Sequence, residues 1–217
     1  MKNTMNLKKF GFYALAAGAV LFTSCKKDDD DDAPKKENEV EVITDVKLIF
    51  TNVNNPTEVV EATAQDPDGD GTKELEVLDE INLKAGQTYE LTFEIFNNLD
   101  PQDPEDIGAE IFEEDDEHQI FFSFDEGVFS DPTGNGNIDN ASDPINYNDP
   151  DDNGYPVGLS TDWTVVNANV TGKSFRVNLQ HQPGVKTATS GADDGDTDFD
   201  LTFVLNVSGA VLVATLR

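Results

Sequence analysis

The residues best placed to do chemistry are the short carboxylates of Asp66-Pro67-Asp68-Gly69-Asp70-Gly71-Thr72-Lys73-Glu74. Asp66, Asp68 and Asp70 alternate along a tight loop, so their side chains converge on one point. Gly71 permits the left-handed turn that keeps them converging. The backbone carbonyl of Thr72 adds an oxygen, and Glu74 completes the set. Hard oxygen ligands in a flexible cage suit Ca2+, and three converging carboxylates with no cation between them would repel one another. Two weaker versions follow along the chain. Asp131-Pro132-Thr133-Gly134-Asn135-Gly136-Asn137-Ile138-Asp139 offers Asp131, Asn135 and Asp139, while Asp149-Pro150-Asp151-Asp152-Asn153-Gly154 offers Asp149, Asp151 and Asn153. Fewer charges imply weaker cation binding, and an Asn-Gly turn that folds the chain without an ion explains either stretch equally well.

Two histidines supply a different chemistry. His118 follows the acidic run Glu113-Glu114-Asp115-Asp116-Glu117, and His181 closes an alternating stretch. Brought together beside a carboxylate, they would take Zn2+ or Cu2+, or ligate a haem iron from two sides. Left apart, they are ordinary strand-end histidines, and no His-x-His spacing joins them. Asp196, Asp198 and Asp200 alternate with Thr197, Phe199 and Leu201, which reads as a solvated strand face. Catalysis finds little support: there is no Gly-x-Ser-x-Gly elbow, phosphate-cradling glycine loop or His-Glu-x-x-His. Carboxylates are plentiful enough for an enzyme of envelope polymers, but the single Trp163 within an alternating strand reads as core rather than as a sugar platform.

These residues must be positioned by β-structure. From Val40 the apolar residues alternate with polar ones, with Val40, Val42, Val46, Leu48 and Phe50 on one face, the period of a half-buried strand. The same period recurs at 58–64, 74–78, 89–96, 118–124, 163–170, 174–179 and 199–207, and an apolar strand at 211–216 ends the chain. Asp-Gly, Thr-Gly and Pro-Gly turns separate them. No stretch carries a capped helical period. Short antiparallel strands in series predict an all-β fold, an Ig-like antiparallel β-sandwich over 40–217. It is interrupted by a long Asp/Asn/Gly-rich loop at 123–160 with few apolar anchors.

The amino-terminal segment gives the address. Lys2, Lys8 and Lys9 precede a 13-residue apolar run, 10–22, too short to span hydrocarbon as a helix, which needs about 20 residues. Residues 1–24 therefore read as a secretory signal peptide. Leu21-Phe22-Thr23-Ser24-Cys25 resembles a bacterial lipobox, with Phe22 in place of the usual Leu. The resemblance implies cleavage before Cys25, the only cysteine, and acylation of its thiol, an anchor in the outer membrane. Lys26-Lys27 followed by Asp28 to Asp32 resembles the export signal of Bacteroidetes-type surface lipoproteins, which implies display at the cell surface on a flexible tether, 25–39. Loss of residues 1–24 removes three of the 14 basic residues and none of the 44 acidic ones, taking the net charge from −30 to −33. Such a surface repels nucleic acid and anionic headgroups and favours cations or a basic partner.

The Asp66–Glu74 stretch lacks the twelfth-position Glu of an EF-hand, since Val77 stands there. With Glu74 at the ninth position, it resembles the strand-to-strand calcium loops of integrin-type propellers and thrombospondin type-3 repeats. A signal, a tether and one acidic β-domain are together similar to small lipoproteins that partner TonB-dependent receptors. The first expectation is thus a surface lipoprotein with a calcium-stabilised sandwich acting as a binding or accessory module, and not an enzyme. The second is a transition-metal- or haem-capturing lipoprotein built on His118 and His181. Whether those two side chains meet separates the two.

Overall fold

Strands with one apolar face must press that face against another. The chain does so in the computed structural model, which describes residues 41–66 and 75–209. The larger sheet runs, in spatial order, β3 (Glu76–Val77), β2 (Val59–Gln65), β1 (Asp45–Asn52), β5 (Thr88–Asn97), β10 (Ser160–Val165) and β8 (Phe129–Asp131). The short β6 (Glu105–Asp106) adds to β5, and β9 (Asn146–Tyr147) adds to β10. The smaller sheet runs β4 (Ile81–Lys84), β12 (Asp196–Ser208), β11 (Val170–His181) and β7 (His118–Phe124). The expected all-β sandwich is what forms. In β1 every second residue is buried, so Val46, Leu48 and Phe50 enter the core. From the smaller sheet, Ile120, Phe122, Phe175, Val177, Leu179, Phe203 and Leu205 join them in one apolar cluster. Trp163 is fully buried, with ring centroids 4.8 Å from Phe129, 5.1 Å from Phe175 and 5.2 Å from Phe122, so it is core, as its alternation predicts.

The structure departs from the sequence reading in several places, the short strands β6, β8 and β9 among them. Among the described residues a single helix, α1 (Ile107–Glu113), stands where none is expected. It is held by the Asp106 carboxylate, which accepts the Ala109 N–H at 3.1 Å, and by burial of Ile107 and Ile111; seven residues are too few to show a period. β4 is an additional strand, and it pairs with β12 in parallel, Ile81 opposite Leu205, so the smaller sheet is mixed. The stretch expected as one strand over 163–170 is the end of β10, a turn and the start of β11. The Thr171-Gly172 turn is instead a register shift inside β11, between Val170 and Lys173. The strand expected at 211–216 lies outside the described residues.

The long segment 123–160 is ordered by one task, which is to cover β7. That strand is the end of its sheet, with β11 on one side only, and an uncovered edge presents unpaired N–H and C=O groups. The segment folds back along it. Ile120 N–H donates to Val157 O at 2.7 Å, Phe124 N–H to Asn135 O at 2.8 Å, and Phe122 N–H to the Asn137 side chain at 2.9 Å. Tyr147 Oη donates to Ile120 O at 2.7 Å. Gly136 lies so close that a Cβ there would be 2.1 Å from Phe122 O, and its φ of +94° is open to glycine. These hydrogen bonds and a few scattered apolar anchors, Val128, Phe129 and Val157, hold the segment. For that reason its sequence shows so little hydrophobic pattern.

Candidate metal centre

Parity along two strands decides where the histidines go. In β7, residue 118 shares its face with Ile120, Phe122 and Phe124. In β11, residue 181 shares its face with Phe175, Val177 and Leu179. Both faces are the core-facing ones. His118 and His181 are direct cross-strand partners, and side chains of such partners stand about 5 Å apart. The two imidazoles stack, with centroids 4.6 Å apart and planes 7° from parallel. His118 is 1% exposed and His181 6%. They extend the apolar column past the end of the core, at the corner where β7 begins and β11 ends.

The turn between α1 and β7 brings the carboxylates. The Nδ1 of His118 lies 3.1 Å from the Glu114 carbonyl, an oxygen at the helix C-terminus that also accepts the Glu117 N–H at 2.9 Å. That contact is a hydrogen bond for the Nδ1–H tautomer, and it leaves Nε2 carrying the lone pair. Glu117 lies with a carboxylate oxygen 3.6 Å from His181 Nε2. One ligand atom from each of Glu114, Glu117 and His181 falls within 4.8 Å of the others. The Nε2 atoms of both histidines are buried and have no hydrogen-bond partner. An orphaned buried nitrogen costs about 1–3 kcal/mol, so two side by side call for an explanation.

A third carboxylate enters through a bulge. Leu179 pairs with Phe199, but the next residue, Gln180, pairs with Thr197, so Asp198 is the extra residue of β12. A bulge re-aims a side chain, and here it takes Asp198 off the solvated face that alternation predicts. Both of its carboxylate oxygens are buried without hydrogen-bond partners. Burial raises its pKa to about 7; the charge of His181 opposes that rise, and Glu41 adds to it. Burial likewise pushes Glu41 up, with Glu110 and Glu114 adding to the rise. His118 is driven down to about 4, mainly by burial and further by His181 beside it. It is therefore a neutral imidazole at physiological pH, the state in which the ring binds a metal. Gly195 closes the corner: a Cβ there would lie 2.2 Å from His181 O, at a φ of +104°.

Of the expected calcium ligands, Asp66 is buried and its N–H donates to Thr44 O at 2.7 Å. Asp68, Asp70, Thr72 and Glu74 lie outside the described residues, as does Cys25. The flanking strands do meet, with Gln65 opposite Glu76, so the 66–75 connection joins two paired strands. In the second stretch, Asp131 accepts from the Asn146 amide and Asp139 from the Asn135 amide, each at 3.0 Å. In the third, Asp149 accepts the N–H groups of Gly158 and Ser160 at 3.0 Å. Asp151 Oδ1 accepts those of Asn153 and Tyr155 at 2.8 Å, and its Oδ2 lies 3.2 Å from the Lys186 ammonium. Amides, backbone N–H groups and a lysine thus already engage these carboxylates.

Sequence inspection offered both histidines as ligands but gave Glu114, Glu117 and Asp198 no ligand role. The strand parity that puts His118 and His181 on one face was readable from the alternation. The bulge at Asp198 was not, since nothing in Asp-Thr-Asp-Phe-Asp-Leu marks which residue is the extra one. Comparison of the chain with protein-family models, with curated proteins and with solved structures finds no match, so the functional reading rests on this geometry.

Proposed function

We propose that this chain is a lipid-anchored envelope lipoprotein whose β-sandwich captures a divalent transition-metal ion. His181, Glu114 and Glu117 hold the ion, and His118 stands beside them as a further nitrogen donor. The observation that carries this reading is the stacked histidine pair, two buried imidazoles with unpartnered Nε2 atoms against a carboxylate cluster. Imidazole with carboxylate suits Zn2+ and Cu2+. Haem suits it less, because the rings lie face to face and leave no space for a porphyrin plane between them. The lipobox-like Cys25, the Lys-Asp block behind it and the acidic surface support a place at the outer membrane, where the module would serve as an accessory to a TonB-dependent receptor or another partner with a basic surface. A structural Ca2+ at Asp66–Glu74 is compatible with this reading, since the strands on either side of that connection pair.

Thermal melts of the chelator-treated protein with added Zn2+, Cu2+ or Ca2+ test both ions. An ion at 100 times its Kd stabilises by about 2.7 kcal/mol, which is roughly 5–10 °C in Tm for a domain of this size. The zinc and copper shifts should vanish in His118→Ala/His181→Ala, and any calcium shift should persist there and shrink in Asp68→Asn. No transition-metal shift in the parent, or one that survives loss of both histidines, would overturn the metal-capture reading.

A further inference from the structure

Lys186 is the one lysine among the described residues whose side chain is almost wholly enclosed. That side chain is 1% exposed, and the side chain of its partner Asp151 0%. The Lys186 Nζ donates to the backbone carbonyl of Asp115 at 2.5 Å and lies 3.2 Å from Asp151 Oδ2. That oxygen is buried without a hydrogen bond, whereas Oδ1 accepts two backbone N–H groups, from Asn153 and Tyr155, both at 2.8 Å. Removing two opposite charges from water costs several kcal/mol per ion, which their attraction repays only when every remaining polar atom is satisfied. Here the Lys186 ammonium, 3.2 Å away, is all that meets Oδ2.

We propose that Lys186 and Asp151 join in an intramolecular amide bond between Nζ and Cγ, a cross-link that the surrounding residues promote. The reaction needs no other reagent. A proton passes from the ammonium to Oδ2, giving an amine and a carboxylic acid. The Nζ lone pair then attacks Cγ, and Oδ1 becomes an oxyanion held by the N–H groups of Asn153 and Tyr155, a ready pair of donors. One hydrogen moves from nitrogen to the Oδ2 hydroxyl, which leaves as water, and Oδ1 returns to a carbonyl. Burial pulls the Lys186 pKa down, toward the amine that attacks. Burial pushes Asp151 up, but the Tyr155 N–H and Lys186 outweigh it and hold the group low; the ion pair is the resting state and the neutral pair the reactive one.

The product accounts for every polar atom. The new amide N–H keeps the Asp115 carbonyl, the amide oxygen keeps its two backbone donors, and Oδ2 leaves as water. Two buried charges disappear with it. The bond would tie the segment that covers β7 to the segment that leaves β11, next to the histidine corner.

Mass spectrometry of the full chain, denatured and digested with trypsin, tests this directly. Trypsin cleaves after a free lysine and not after an acylated one. The expected result is no cleavage at Lys186 and a branched product, joining the peptides that hold Asp151 and Lys186, lighter by one water than their sum. Lys186→Arg and Asp151→Ala should each restore the mass of the unlinked chain. Parent protein that cleaves fully at Lys186 and shows the unlinked mass would overturn the proposal, whether or not the histidine corner binds metal.

Discussion

Acidification should act on the two buried groups of the histidine corner in opposite senses. His118 titrates at about 4 in the folded chain against an ordinary 6.5. Between those values the unfolded chain holds a proton that the folded chain lacks. The contribution of His118 is therefore whole above pH 6.5 and is lost as pH falls toward 4. At about 1.4 kcal/mol per pH unit, the loss is about 3 kcal/mol. Asp198 runs the other way, at about 7 folded against 3.8. Here the folded chain holds the extra proton, so its contribution is whole below pH 3.8 and is lost as pH rises through 7. The same conversion gives about 4 kcal/mol. In the parent these effects nearly cancel between pH 7 and pH 4, and single variants should uncover each. Relative to the parent, His118→Gln should gain about 3 kcal/mol on going from pH 7 to pH 4, whereas Asp198→Asn should lose most of about 4 kcal/mol. Urea unfolding at pH 7, 5.5 and 4, with chelator present, measures this. Comparison with the parent at each pH cancels the many carboxylates common to all three proteins. Parallel pH profiles for the three would refute the argument that burial sets these groups apart.

Two further outcomes follow from particular residues. Gly195→Ala places a Cβ against His181 O, so it should lower Tm and abolish the zinc-dependent shift together, while an alanine at the open Gly184, which has nothing within 4 Å, should leave that shift intact; equal zinc shifts in both variants would show that the corner does not depend on this close approach. Cys25→Ala should release the protein from the membrane fraction, and alanines at 26–30 should keep it anchored but protected from protease added to whole cells; continued protease sensitivity in the second variant would remove the export role of the Lys-Asp block.

The strand pattern was legible because it rests on a local rule. Val46, Leu48 and Phe50 alternate with polar residues, and a half-buried strand requires just that, so the all-β sandwich and the core role of Trp163 could be read from the order of residues. The parity of His118 with Ile120 and Phe122, and of His181 with Val177 and Leu179, was equally local. What the sequence could not decide depends on partners far away along the chain. The register of β7 on β11 sets His118 opposite His181, 63 positions apart, and no local preference encodes a cross-strand pairing. The bulge that turns Asp198 inward exists only because β11 and β12 fall out of step at that point. Segment 123–160 looked featureless because hydrogen bonds to the β7 edge and a few scattered anchors, Val128, Phe129 and Val157, hold it, and these leave no regular hydrophobic period to detect. No local pattern in the sequence marks Lys186. Only the folded chain encloses it with Asp151, because the segment covering β7 and the segment leaving β11 close over the same space.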